Sequence, residues 1–213
     1  MGRRLTPVLL ALAGVLLAAG QAVAAEKFRV KGATVIYDTD GPGIPLAEAG
    51  IDRGDIDALV KLLRANPGIT TLRLNSEGGD YFTAFDMAGV LIDFELDTEV
   101  LGECSSACAY VFMGGTDRRL VRGGRIGFHQ TSWSPEGARD YFDSLAKDEG
   151  WANPFDFVSW VYEDTQTEIY ERLIFMTGRG VSSDFAIESL KASTDDMWYP
   201  YRARLLAAGV LTE

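Results

Sequence analysis

The sequence predicts one α/β domain in which a largely parallel sheet is flanked by helices. Three observations predict it. Strand-like and helix-like segments alternate along the chain, the connections between them are short, and hydrophobic residues at 47% against 24% charged supply enough apolar mass for a proper core. Strands and helices in that order, joined by short links, are crossover units on one sheet. The composition also excludes disorder and a disulfide-dense small scaffold.

In chain order, Phe28 to Tyr37 (FRVKGATVIY) reads as one strand, followed by a Gly/Pro loop from Asp38 to Pro45. Asp55 to Ala65 has the apolar period of an amphipathic helix, closed by the stop signal Asn66-Pro67-Gly68. Ile69 to Leu74 is strand-like, Tyr81 to Phe94 helical, and Thr98 to Leu101 a short buried strand. Ser106 to Met113 reads as a buried helix. Arg118 to Val121 and Arg125 to Phe128 read as strands either side of the Gly123-Gly124 turn. Gly137 to Gly150 is a polar loop-helix, and Phe157 to Met176 a long helix ended by Gly178.

Ahead of the domain, Arg3 and Arg4 lead into the apolar run Val8 to Ala19 and then Ala22-Val23-Ala24. A positive start, a short apolar stretch and an A-x-A site are the three parts of a secretory signal peptide. An apolar run of about 12 residues is too short for a bilayer core of ~30 Å. Cleavage is expected after Ala24 or Ala25, which gives a signal peptide over 1–24 and one domain over 25–213. The mature chain is expected to be periplasmic or secreted, with no membrane partner. Lys plus Arg number 20 against 31 for Asp plus Glu, a net charge of −11 that becomes −13 when Arg3 and Arg4 leave. A chain so acidic lacks the basic face a nucleic-acid binder needs.

Export opens the question of Cys104 and Cys108, the only cysteines. Positions i and i+4 of a helix lie about 6 Å apart, within reach of a disulfide in an oxidising compartment. The alternative is a pair of small buried hydrophobes that never join. Two cysteines and one histidine are too few for a metal site, and no cofactor is expected.

Three segments carry candidate chemistry. Asn75-Ser76-Glu77-Gly78-Gly79-Asp80 turns a strand into a helix, where paired glycines let backbone N–H groups face an anion. Gly102-Glu103-Cys104-Ser105-Ser106-Ala107-Cys108-Ala109 turns a buried strand into a buried helix, and a serine there is either a helix cap or a nucleophile. Gly127-Phe128-His129-Gln130 holds the sole histidine, either a structural residue or a general base for that serine.

Together these segments resemble the proteolytic subunit of the Clp protease, within the ClpP/crotonase fold superfamily. Leu74 to Gly79 resembles that family's I-N-S-P-G-G, Gly102 to Ala109 its G-Q-A-A-S-M-G-A, and Arg125 to Gln130 its strand ending in I-H-Q. Separations of 28 residues from Gly78 to Ser106 and 23 from Ser106 to His129 are close to the family's. The resemblance implies a ClpP/crotonase-like fold of repeated β-β-α units. It places Ser106 on the nucleophile, His129 on the base, and the Gly78 and Ala107 N–H groups on the oxyanion hole. Beyond Thr177-Gly178, similar to the family's H-T-G, the acid of the triad falls on Asp196, with Asp195 second. Peptide or small protein would be the substrate, and a homo-oligomer remains open.

The sequence also departs from the family. Glu77 stands where the family has Pro, and a carboxylate pointing inward there would oppose a developing oxyanion. The cysteines around Ser106 have no counterpart. Gly137 to Asp164, with Trp151, Phe155, Phe157 and Trp160, replaces the region that forms the ring-contact handle. The leading expectation is an exported serine peptidase or hydrolase. Its rivals are a catalytically silent binding module, a Ser-Lys peptidase of the signal-peptide-peptidase type, and a crotonase-type acyl-CoA enzyme. No lysine lies in a recognisable motif for the Ser-Lys enzyme, and CoA is not expected in the periplasm.

Overall fold

A computed structural model describes residues 27–213. The expected signal peptide lies outside the described residues. Six strands form one sheet in the order β1-β2-β3-β4-β5, with β6 also paired to β4. These are β1 (Phe28–Lys31), β2 (Thr34–Asp38), β3 (Thr71–Ser76), β4 (Asp97–Ser105), β5 (Arg118–Leu120) and β6 (Arg125–Gly127). Only the β1–β2 pair is antiparallel. The helices are α1 (Gly54–Ala65), α2 (Tyr81–Asp93), α3 (Cys108–Met113), α4 (Pro135–Glu149), α5 (Pro154–Gly178), α6 (Ser183–Glu188) and α7 (Arg202–Ala207). The largely parallel α/β architecture is the one the sequence predicts.

Differences from the sequence reading are local and have physical causes. The single strand expected over residues 28–37 is a hairpin, because Gly32 turns the chain in the left-handed region at φ 62°. β4 runs four residues past the expected Leu101. Its pairing with β3 slips from Leu74↔Val100 to Ser76↔Cys104, and the Asn75 side chain fills the gap. Asn75 Oδ1 accepts from Glu103 N–H at 3.0 Å, and a Cβ on Gly102 would lie 2.4 Å from that oxygen. A glycine is therefore required at the bulge.

Leu72, Leu74 and Val100 on the sheet are fully buried against Leu59 of α1, Leu91 of α2 and Val111 of α3. Asp55, buried in the first turn of α1, accepts from Tyr37 Oη at 2.5 Å and from Lys27 Nζ at 3.0 Å, which fastens the helix to the edge of the sheet. At the opposite edge, the buried guanidinium of Arg118 forms no ion pair among the described residues. It donates to the carbonyls of Gly115, Arg179, Gly209 and Val210 at 2.8–3.3 Å, and lies where β5 meets the end of the chain.

The strand register decides where the site lies. Ser76 pairs with Cys104, and Ser105 with Gly127, so β3, β4 and β6 end side by side. Ligands in open parallel sheets bind beyond the carboxyl ends of strands. Here those ends deliver Gly78-Gly79, Ser106 and His129 to one place.

Candidate active site

Ser106 leaves β4 in the left-handed region at φ 55°, a conformation that costs a non-glycine residue roughly 1–3 kcal/mol. Two bonds hold it there. Ser106 N–H donates to Gly127 O at 3.0 Å, and Cys104 and Cys108 are joined by a disulfide that spans the turn. The cysteine pair left open by the sequence is thus a closed one. For a loop of five residues, chain entropy assigns such a bridge about 2 kcal/mol. Its larger effect is local, because it ties the last turn of the strand to the first residue of α3.

His129, half-buried just past β6, places Nε2 2.6 Å from Ser106 Oγ. The two residues the sequence pairs at a separation of 23 are therefore in direct contact. Its Nδ1 is buried and has no partner among the described residues. The expected acid does not reach it: Asp196 is exposed, and its Oδ1 accepts from Met197 N–H at 2.8 Å. Asp195 is exposed in the neighbouring turn. The segment lies close to the site because Phe128 and Trp198 exchange both backbone hydrogen bonds, but that pairing leaves the two carboxylates pointing into solvent.

A cation acts on the imidazole. Arg172 of α5, only 2% exposed, donates from Nη2 to His129 O at 3.2 Å and lies 5.0 Å over the Tyr110 ring. Burial, and then this guanidinium, hold the imidazole below its ordinary range. His129 is therefore neutral at neutral pH, the form that can accept a proton.

The glycine pair needs one correction. Gly78 N–H donates to Ser76 Oγ at 3.1 Å, so it is turned into the protein and away from the cleft. Gly79 lines the cleft, and among the described residues neither its N–H nor that of Ala107 has an acceptor. Gly78 instead provides room, since a Cβ there would come within 2.8 Å of Ser106 Cβ and 3.1 Å of Ala107 N. Glu77 is exposed, gives its N–H to Asp40 and does not line the cleft.

Behind the serine turn lies a network that sequence reasoning missed. Glu103 accepts from Ser105 Oγ, from Tyr199 Oη and from Arg125, which also stacks 4.4 Å over the Tyr199 ring. Burial pushes the Glu103 carboxyl up, but these hydrogen bonds together hold it below its ordinary value.

The cleft itself has a volume of about 570 Å³ and runs between α2 and the start of α4, with Ser106, Ala107, Tyr110 and His129 on its floor. Trp133 and Tyr141 form one wall and Tyr81 and Phe82 another. In the segment that replaces the ring-contact handle, Trp151, Phe157 and Trp160 stack with Tyr141 and hold α4 against α5, whereas Phe155 is 82% exposed. A second cavity of about 620 Å³ beside Lys27, Phe28 and α1 holds none of these groups.

Among solved structures, the chain is similar to a mutant of ClpP1 from Listeria monocytogenes, at 14% identity and a TM-score of 0.53. The match covers 85% of this chain and 90% of that one. The likeness shows the fold, a ClpP-like mixed α/β sheet flanked by helices. No protein-family model matches the chain, and no curated protein matches it. No helix among the described residues is long and apolar enough to cross a membrane.

Proposed function

We propose that this chain is an exported serine hydrolase, a peptidase acting on small or unfolded peptides. The observation that carries the reading is the 2.6 Å hydrogen bond between His129 Nε2 and Ser106 Oγ in an open cleft. Ser106 attacks the scissile carbonyl as His129 Nε2 takes its proton. The developing oxyanion is received by the Ala107 and Gly79 N–H groups, which are worth several kcal/mol when fixed in advance. His129 then returns the proton to the leaving amine, and water repeats the sequence on the acyl-enzyme. Because Nδ1 meets no carboxylate, the working unit is a Ser-His pair, with the imidazole oriented through the Arg172 contact to its main-chain carbonyl. The disulfide and the signal-like first 24 residues support export.

Purified protein should be labelled by a fluorophosphonate serine probe, and Ser106→Ala should not be. The pH dependence of labelling has a definite sign. Attack needs neutral imidazole, and in the fold the imidazole keeps its neutral form below the ordinary 6.5. Labelling should therefore persist below pH 6.5 and fall away only as pH drops through the lowered value. Arg172→Gln should move that midpoint upward.

One observation favours a second reading, a ClpP-like binding module without turnover. A cation stands beside the imidazole, and among the described residues no carboxylate is bonded to its Nδ1 to stabilise an imidazolium. Absence of labelling in the wild type at every pH would decide for the module.

A further inference from the structure

Glu168 lies on the wall of the cleft that holds Ser106 and His129. One of its oxygens accepts from Thr131 Oγ1 at 3.0 Å, and among the described residues the other has no protein partner. Arg172, one helical turn along α5, is the neighbour that would ordinarily pair with it. Its guanidinium is instead turned onto His129 O and the Tyr110 ring, and among the described residues forms no direct ion pair. A half-buried carboxylate thus faces the cleft with no direct ion pair among the described residues; burial pushes its carboxyl above the ordinary value, and the Thr131 hydrogen bond and the charge of Arg172 only partly offset that. The other charged groups on the wall do not answer it. Asp80 is engaged in capping α2 by accepting from Thr83 N–H at 2.8 Å, and Arg53 is an exposed residue at the start of α1.

The surroundings repeat the sign. α4 and α5, which border the cleft, each contain five carboxylates. Their only exposed cations are Arg139 and Lys147 of α4. Trp133 and Phe82 are 43% and 58% exposed on the cleft walls, and offer ring faces to an apolar or cationic side chain.

We propose that Glu168 is the specificity-determining residue of this cleft and selects cationic peptides, pairing with a lysine or arginine side chain close to the scissile bond while neighbouring apolar side chains pack on Trp133 and Phe82. A substrate ammonium or guanidinium supplies the direct ion pair that Arg172 does not make, in a partly desolvated place where such a pair is worth more than on open surface. A glutamate at the same substrate position would meet like charge.

This selectivity deepens the peptidase reading and rests on it, but it can be tested separately. Two fluorogenic peptides that differ only in Lys or Glu beside the scissile bond give the turnover arm. Wild-type kcat/KM should favour the lysine peptide by about tenfold or more, Glu168→Gln should bring the ratio close to one, and Glu168→Lys should reverse it. The same peptides, labelled for fluorescence anisotropy and titrated onto Ser106→Ala, give a binding arm without chemistry. The lysine peptide should bind more tightly there, and the added Glu168→Gln change should remove the difference. If the serine probe labels nothing while Glu168-dependent binding persists, the peptidase reading fails and the cation-selective cleft stands. If labelling succeeds and neither ratio responds to Glu168, or if neither peptide binds, the selectivity is overturned.

Discussion

Alanine in place of His129 is expected to lower serine-probe labelling and peptide turnover by about three orders of magnitude or more, with the fold intact. The hydroxyl of Ser106 is a poor nucleophile unless a base removes its proton, and among the described residues His129 Nε2, 2.6 Å away, is the base in contact with it. Asp196→Asn is expected to have a much smaller effect, within about twofold, although a triad would lose most of its rate to the same change. The reason is geometric. The Asp196 carboxylate is exposed and capped by Met197 N–H, while His129 Nδ1 is buried without a partner. Single-turnover labelling of the three proteins side by side checks both expectations. A collapse in Asp196→Asn would mean that residues 193–197 rearrange to bring the carboxylate onto the imidazole.

Gly79→Ala is expected to destabilise the protein by about 3 kcal/mol or more, measured as a lowered urea midpoint with an unchanged slope. Gly79 has φ 144°, a conformation hostile to any L side chain, and its added Cβ would meet Ile51 N at 2.3 Å and Ile51 O at 2.5 Å. Those backbone atoms cannot retreat cheaply. Ile51 N–H is bonded to Gly78 O at 2.8 Å, and Ile51 O receives Asp80 N–H at 2.9 Å. The strap from Ile51 crosses directly behind the candidate oxyanion donor, so the same substitution should also abolish labelling. A variant with wild-type stability would show that this strap yields.

The parts of the molecule legible in the sequence are those written in local pattern. Apolar spacing locates α1, α2 and α5. The Gly-Gly after β3, the serine between two cysteines and the sole histidine each sit where a strand must end. Because the strands are parallel, their ends converge and local signals become a shared site. The contributions that escaped come from distant residues whose side chains arrive by packing. Arg172 could have been noticed as a lone cation on the stripe of α5 that buries Phe157 and Met176, but nothing local says which backbone carbonyl it meets. Glu168 looks like any surface acid until α5 is laid along the cleft. Glu103 and Tyr199 are 96 residues apart and meet only across the finished sheet. Asp196 was misplaced for a related reason. Sequence order brings its segment to Phe128, while the register of that pairing, which sequence spacing does not fix, turns its carboxylate outward. Gly78 and Gly79 could not be told apart without knowing which N–H the Ser76 hydroxyl accepts.

The Arg118 claw has a kinetic consequence. Its guanidinium is 4% exposed and finds two of its four carbonyl acceptors at Gly209 and Val210, 91 and 92 residues further along the chain. Until those carbonyls exist, closing the sheet at β5 would bury a cation with half its hydrogen bonds unmade, at a cost of several kcal/mol. Such long loop closures also come late in folding. The edge of the sheet therefore stays open until the segment around Gly209 and Val210 has been made and has docked. The same delay would keep the chain threadable through a translocation channel, as the proposed export requires.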